Sequence, residues 1–146
     1  MTLSSSRQPA IMLVDDDFHS ARLLTRMLVA HGAPQVERLS DPQTAIASLT
    51  ALESPAPGAS QRMVIVDLKG SSAATHDFIV KLKHEAPSLV IVAMSPSLDR
   101  DARNSLLDAG AAAVFERHSE LGAYRREAAN IVGFWVRNQR LDAVGT

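Results

Sequence analysis

Acidic residues follow two of the apolar runs in the sequence. Asp15, Asp16 and Asp17 come directly after residues 10–14, and Asp67 comes directly after residues 63–66. Carboxylates held a few ångströms apart repel each other and raise each other's pKa unless a cation neutralises them. Mg²⁺ suits this role, because it takes oxygen ligands and binds one or two carboxylates together with phosphate oxygens and water. These aspartates therefore predict a magnesium site.

A hydroxyl and a cation follow two further apolar runs. Ser95 comes after residues 89–94, and Arg117 lies shortly after residues 112–115. With a metal ion in place, Asp67 can attack a phosphoryl group and form an acyl phosphate. Ser95 and Arg117 can then hydrogen-bond and pair with the new negative charge. The residue types together predict phosphoryl-transfer chemistry.

Strands and helices alternate along the chain. The apolar runs, mostly β-branched, predict strands at 10–14, 35–39, 63–66, 89–94 and 112–115, and amphipathic or capped segments predict helices at 18–31, 41–52, 73–85, 99–109 and 119–140. Such a (βα)₅ order predicts an α/β fold with a doubly wound, parallel, five-stranded sheet. Ligands bind beyond the carboxyl ends of the strands in these sheets, which is where the four aspartates, Ser95 and Arg117 lie. Asp17 is better placed to cap the first helix than to bind metal.

The composition limits the class of protein. The chain has 146 residues, of which 46% are apolar and 21% charged, and its formal net charge is −1. Dispersed basic residues disfavour nucleic-acid binding. Cysteine is absent, which excludes disulfides, thiolate catalysis and zinc–thiolate sites. Neither a leader segment nor an apolar stretch long enough to cross a membrane is evident, so we expect a cytoplasmic protein with no membrane contact.

One domain accounts for most of the chain. We expect a flexible segment at 1–8, a single domain over 9–140 and a tail at 141–146, with 53–62 as a surface loop rich in Pro, Gly, Ala and Ser. The Ser, His and Asp residues form no nucleophile-elbow signature, so we do not expect a hydrolase triad. We expect a signalling protein and not an enzyme.

The order of these residues resembles the receiver domain of two-component response regulators over about residues 9–138. The resemblance lies in the pair Asp15–Asp16, Asp67 in "VIVDLK", Ser95 in "VAMS" and Arg117 in "DAGAAAVFERHSEL". It implies the flavodoxin-like receiver fold with strand order 2-1-3-4-5.

The resemblance also implies roles for individual residues. Asp67 would accept a phosphoryl group from a histidine of a sensor kinase or phosphotransferase. Asp16, Asp67 and the backbone carbonyl of Lys69 would ligate Mg²⁺, and Asp15 would help through water. The Lys69 side chain is either solvated or close enough to pair with Asp67. With no output domain expected after helix five, such a stand-alone receiver would signal through contact with an unidentified downstream protein.

Several positions depart from the family pattern. Arg117-His118 replaces the usual Lys-Pro, Pro96 removes a backbone N–H beside Ser95, Val114 replaces an aromatic residue, and the 68–77 loop lacks its usual Met-Pro. These departures keep open a pseudo-receiver that binds proteins with little or no phosphorylation. A remoter alternative is a haloacid-dehalogenase-like phosphatase, with Asp15 as nucleophile and Asp17 as acid/base, suggested by "LVDDDF".

The last helix carries two apolar sets. Leu121, Tyr124, Ala128, Ile131 and Trp135 form a stripe that can pack on the sheet, and a second set, Val132, Phe134 and Val136, lies on other faces. The second set predicts a homodimer through helix five. Over a few residues, "FWV" also resembles receivers partnered with bacteriophytochrome-type kinases.

Overall fold

The computed structural model describes residues 11–52 and 62–145, with the backbone only for 140–145. The flexible segment expected at 1–8 and the loop expected at 53–62, apart from Arg62, lie outside the described residues. The strands are β1 (Ile11–Asp15), β2 (Val36–Leu39), β3 (Met63–Asp67), β4 (Val90–Ser95) and β5 (Ala113–Glu116). The helices are α1 (Phe18–Ala30), α2 (Pro42–Leu52), α3 (Ala74–Glu85), α4 (Arg100–Ala109) and α5 (Leu121–Gly145).

All five strands are parallel, in the order β2-β1-β3-β4-β5. The (βα)₅ doubly wound sheet predicted from the sequence, and the strand order implied by the resemblance, are both confirmed. β1 and β3 lie at the centre and are buried at every residue, which explains their unbroken apolar sequences. β2 is an edge strand and is only half-buried, which explains its weaker pattern.

Two apolar layers hold the helices on opposite faces of the sheet. One layer joins the sheet to α2, α3 and α4, with Leu49, Ile79 and Leu82 fully buried. The other joins the sheet to α1 and α5, with Leu24 and Ile131 fully buried. Burying a side chain of this size contributes about 1.5–3 kcal/mol, so the two layers fix the sheet from both sides.

The connections leave the sheet in opposite directions from its centre. The chain passes from β1 outward to β2, and after α2 it returns to β3 on the other side of β1. The crevice between the ends of β1 and β3 is therefore the point where the winding reverses, the usual ligand position in an open α/β sheet.

α5 is longer than predicted, and more of its apolar side chains pack against the rest of the chain than predicted. It begins at Leu121 and continues to Gly145, beyond the residue 140 expected from the sequence. Val132, predicted to lie off the packing stripe, is buried, and the ring of Phe134 meets that of Phe115 edge to face with centroids 6.2 Å apart. Part of the second apolar set thus packs within the chain. No helix in the described part of the chain is long and apolar enough to cross a membrane.

Candidate functional site

Two carboxylates face each other at the centre of the sheet. Asp15 ends β1, Asp67 ends β3, and the two are direct partners in the parallel register. Both residues are completely buried, because the strands that carry them are covered on both faces. Two like charges in such a place require a counter-charge.

The pKa of Asp15 reflects this environment. Burial raises the pKa of Asp15 above its usual value, and the negative charge of Asp67 raises it further. Hydrogen bonds oppose these effects: the Lys69 ammonium donates to Asp15, and the backbone N–H of Asp17 donates to Asp15 Oδ1 at 2.9 Å. The net shift is upward, so burial of the charge outweighs the hydrogen bonds that Asp15 accepts.

The Lys69 side chain supplies one counter-charge. Its ammonium lies 2.8 Å from Asp15 Oδ1 and 3.1 Å from Asp67 Oδ2, and it donates to the Asp67 carbonyl at 3.1 Å. The side chain is only 22% exposed. The Lys69 side chain is therefore paired with the two acids and not solvated.

Asp16 holds the backbone of Lys69. The Lys69 amide N–H donates to both carboxylate oxygens of Asp16, at 3.0 and 3.2 Å. Asp16 therefore points towards the loop after β3, while Asp15 points towards Asp67. The two neighbouring acids of the predicted metal site contact Lys69 at different atoms.

Arg117 supplies a second counter-charge. Its Nε donates to Asp67 Oδ1 at 2.9 Å, and its backbone N–H donates to the Ser95 carbonyl at 2.7 Å. The second bond attaches the residue after β5 to the end of β4, which directs the guanidinium towards β3. Arg117 thus places a cation on Asp67.

Ser95 lies near these groups, but its hydroxyl is engaged locally. It donates to the Ser97 carbonyl at 2.6 Å and accepts from the Ser97 N–H at 3.3 Å. Pro96, between them, has no N–H to offer. Ser95, Lys69 and Arg117 line one open cavity of about 420 Å³.

Asp17 serves α1. Its side chain accepts from the backbone N–H groups of His19 and Ser20, at 3.0 and 3.2 Å, in the N-cap position. The bonds from Ser20 and His19 hold the pKa of Asp17 below its usual value. The capping role predicted for Asp17 is confirmed.

The structure adds a residue that the sequence did not single out. The Thr75 hydroxyl accepts from the Leu68 N–H at 3.0 Å and lies 3.3 Å from the Leu68 carbonyl. Thr75 is buried in the first turn of α3. Its hydrogen bonds with Leu68 therefore connect the loop after Asp67 to the helix that follows it. The sequence carries no signal that singles out Thr75, because Ser71 and Ser72 offer hydroxyls nearer to Asp67.

The two central carboxylates have the chemistry of a hard-cation site. Oδ2 of Asp15 and Oδ2 of Asp67 are buried without a hydrogen-bond donor among the described residues, although the second lies within ion-pair distance of Lys69. Among the described side chains, residues 11–52 and 62–139, no group of three or more His, Cys, Asp or Glu is placed to hold a metal ion. Mg²⁺ needs only one or two carboxylates, since it retains several waters. Asp15 and Asp67 therefore fit the predicted ion.

Solved structures with a similar fold include several response regulators. A response regulator receiver domain from Rhodospirillum rubrum is 17% identical, with a TM-score of 0.72, and the match covers 86% of this chain and 92% of that one. The Mn²⁺-bound form of the response regulator Rcp1 is 18% identical, with a TM-score of 0.64 and the same coverage. The phosphorylated cyanobacterial phytochrome response regulator RcpA is 19% identical, with a TM-score of 0.66 and the same coverage.

Sequence comparison gives no such match. Neither a protein-family model nor a curated protein sequence matches the chain. The assignment therefore depends on the fold, which covers most of the chain and most of each neighbour. This chain has the fold of the response regulator receiver domain.

Proposed function

We propose that the chain is a response regulator receiver in a two-component phosphorelay, with Asp67 as the phospho-acceptor. The observation that carries this proposal is the position of Asp67 at the winding reversal of the sheet. It is buried beside Asp15 and paired with the cations of Lys69 and Arg117. A sensor histidine kinase or a histidine phosphotransferase would be the donor, and a downstream protein would read the result.

The transfer is a substitution at phosphorus. A carboxylate oxygen of Asp67 forms the new P–O bond, the bond from phosphorus to the donor histidine nitrogen breaks, and that nitrogen keeps the electron pair. Arg117 already pairs with Asp67 and can stay beside the phosphoryl oxygens, where its planar guanidinium fits the geometry. Ser95 can reach these oxygens once its hydroxyl leaves the Ser97 carbonyl.

Mg²⁺ is the ion we propose for this site. Asp15, Asp16, Asp67 and the backbone carbonyl of Lys69 would hold it. When bound, the ion supplies positive charge that offsets the negative charge of the carboxylates and of the incoming phosphoryl group. The Mn²⁺-bound form of Rcp1 and the phosphorylated form of RcpA support this proposal, as properties of proteins with the same fold.

A pseudo-receiver is the second candidate, and one observation favours it. Lys69 and Arg117 already balance the charges of the two buried carboxylates, Asp15 and Asp67, without a metal ion. The Ser95 hydroxyl also points to its own loop, and Pro96 offers no N–H. In this case the chain would bind a protein partner without being phosphorylated.

Intact-mass spectrometry after incubation with acetyl phosphate and Mg²⁺ separates these functions. A receiver gains one phosphoryl group, and peptide mapping places it on Asp67. Asp67→Asn should not be labelled, whereas the control Asp77→Asn, which changes a largely exposed acid, should be labelled as fully as the parent chain. An unlabelled parent chain would contradict the receiver and support the pseudo-receiver, and label on Asp15 would support the phosphatase.

We also propose a homodimer through α5. Phe134, Trp135 and Val136 pack against the α1–α5 layer but stay partly exposed. The buried indole N–H of Trp135 has no acceptor among the described residues. Sedimentation equilibrium tests this proposal directly. A dimer mass at tens of micromolar is expected, and a monomer mass there would contradict it.

A further inference from the structure

The ammonium of Lys69 contacts one oxygen of each buried carboxylate that a metal ion in this site would use. It lies within 3.1 Å of Asp15 Oδ1 and Asp67 Oδ2, which belong to the two fully buried carboxylates. The positive charge of the ammonium thus lies between the two negative charges and offsets both. Lys69 therefore takes the electrostatic role that the sequence assigned to a divalent ion.

The charges of the site show what this contact achieves. Asp15 and Asp67 contribute two negative charges, and Lys69 and Arg117 contribute two positive ones, so these four side chains sum to zero. Adding a divalent ion while the ammonium stays in place would put like charges against each other around the same oxygens. The ammonium therefore opposes metal binding for as long as it stays between these two carboxylates.

The surroundings of Lys69 allow it to leave without unfolding the loop. Its side chain is one of those lining the 420 Å³ cavity, together with the small polar side chains of Ser71 and Ser72. Its backbone is held separately, because its amide N–H donates to Asp16 and the preceding Leu68 is fastened to Thr75. Rotation about the side-chain bonds can move the ammonium into the cavity while the backbone stays in place.

We infer that Lys69 is an internal competitor for the divalent cation and thereby sets the metal affinity of the site. This inference rests on the proposed function, in which the site uses a divalent ion. The conformation that binds metal is the one with the ammonium outside, and the apparent affinity falls in proportion to the fraction of molecules in that conformation. Removing the ammonium should therefore tighten metal binding without adding a ligand.

Mn²⁺ binding, measured by the electron paramagnetic resonance signal of the free ion, tests this inference without any phosphorylation. Lys69→Met keeps most of the length of the side chain and removes its charge, and we expect its Mn²⁺ dissociation constant to fall about tenfold or more. Lys69→Arg keeps a cation and should bind nearly as weakly as the parent chain. Lys81→Met, a change at an exposed lysine on α3, is the matched control and should leave the affinity unchanged.

A second measurement uses the unaltered chain, in case Lys69→Met folds poorly with two carboxylates unbalanced. In side-chain NMR, the Lys69 ammonium signal should move towards that of a solvated lysine as Mg²⁺ is added, and the Lys81 signal should not move. Equal Mn²⁺ affinity in the parent chain and Lys69→Met, or a Lys69 signal unaffected by saturating Mg²⁺, would overturn the inference.

The outcomes also separate this inference from the proposed function. Equal affinities together with labelling of Asp67 would leave the receiver function standing and reject only the role of Lys69. No Mn²⁺ binding in either chain would overturn the inference and remove the metal ion from the proposed function as well.

Discussion

Nε of Arg117 lies 2.9 Å from Oδ1 of Asp67, so the residue after the last strand neutralises a carboxylate at the end of the central strand. Asp67 is completely buried, and the Arg117 side chain is 25% exposed. The ion pair therefore connects a buried carboxylate with a side chain that lines the cavity. A buried carboxylate that loses its cationic partner destabilises the folded state, so the charge of the site affects the stability of the sheet.

Replacing Arg117 should destabilise the chain measurably. In Arg117→Met, the buried carboxylate of Asp67 keeps only Lys69 as a cationic partner, and we expect the free energy of unfolding to fall by about 1–3 kcal/mol. Urea denaturation followed by circular dichroism gives this value. Arg103→Met, at an exposed arginine on α4, is the control and should change stability little. An equal loss in the two variants would show that the ion pair contributes nothing.

The layer beneath α3 should be sensitive to the loss of volume. Leu82 is completely buried between α3 and the sheet, whereas Val80 on the same helix is 47% exposed. Leu82→Ala leaves a cavity, so we expect a loss of about 2–5 kcal/mol in the free energy of unfolding. Val80→Ala should lose far less in the same denaturation experiment, and similar losses would contradict the packing described for α3.

The Asp99 cap should make the stability of α4 depend on pH. Its side chain accepts from the Ala102 N–H at 2.8 Å, and this bond, with the Ser97 hydroxyl, holds the pKa of Asp99 below its usual value. A carboxyl whose pKa is lowered on folding stabilises the folded state above its unfolded pKa. This contribution is lost as the pH falls through the lower, folded-state pKa.

Asp99→Asn isolates this contribution, because an amide can still cap the helix but does not titrate in the acid range. The parent chain should be more stable than Asp99→Asn at neutral pH, and the difference should shrink below about pH 4, near the usual pKa of Asp. Thermal unfolding at several pH values measures it. A difference that stays constant down to acid pH would show that the Asp99 charge does not contribute.

Much of this site could be predicted because strand ends converge in a parallel sheet. The apolar runs before Asp15 and Asp67 identified central strands, and the fold then brought both aspartates to one edge. The position of the Lys69 ammonium could not be predicted in the same way. It depends on the course of the loop after β3, which Asp16 fixes through a contact between residues 53 positions apart.

The packing of α5 escaped prediction for a similar reason. A stripe at helical spacing predicted that Leu121, Tyr124, Ala128, Ile131 and Trp135 pack on the sheet. Tyr124, Ala128 and Ile131 are buried, but Trp135 is only partly buried and Leu121, at the start of the helix, is 45% exposed. The stripe did not reveal that Val132 is buried too, because the width of the buried face depends on how α5 lies against both the sheet and α1. Sequence spacing describes one helix, whereas this width is set by its neighbours.

Two glycines should respond to alanine in opposite directions. Gly110 ends α4 with a φ of +132°, a conformation that strains any other residue, and an added Cβ would lie 2.8 and 2.9 Å from Cγ and Cβ of Lys83 on α3. Those atoms are close to the backbone of α3 and cannot move freely. Gly110→Ala should therefore cost about 1–3 kcal/mol of unfolding free energy through strain and overpacking.

Gly133 is the matched control, since it lies inside α5 and an added Cβ would meet only the flexible end of Arg137, at 3.4 Å. Alanine restricts the unfolded chain and favours helix, so Gly133→Ala should gain about 0.5–1 kcal/mol. Urea denaturation of both variants at one protein concentration measures the contrast. Stabilisation by Gly110→Ala would show that α4 and α3 do not meet as closely as described, because the strain at Gly110 arises from that contact and from its φ.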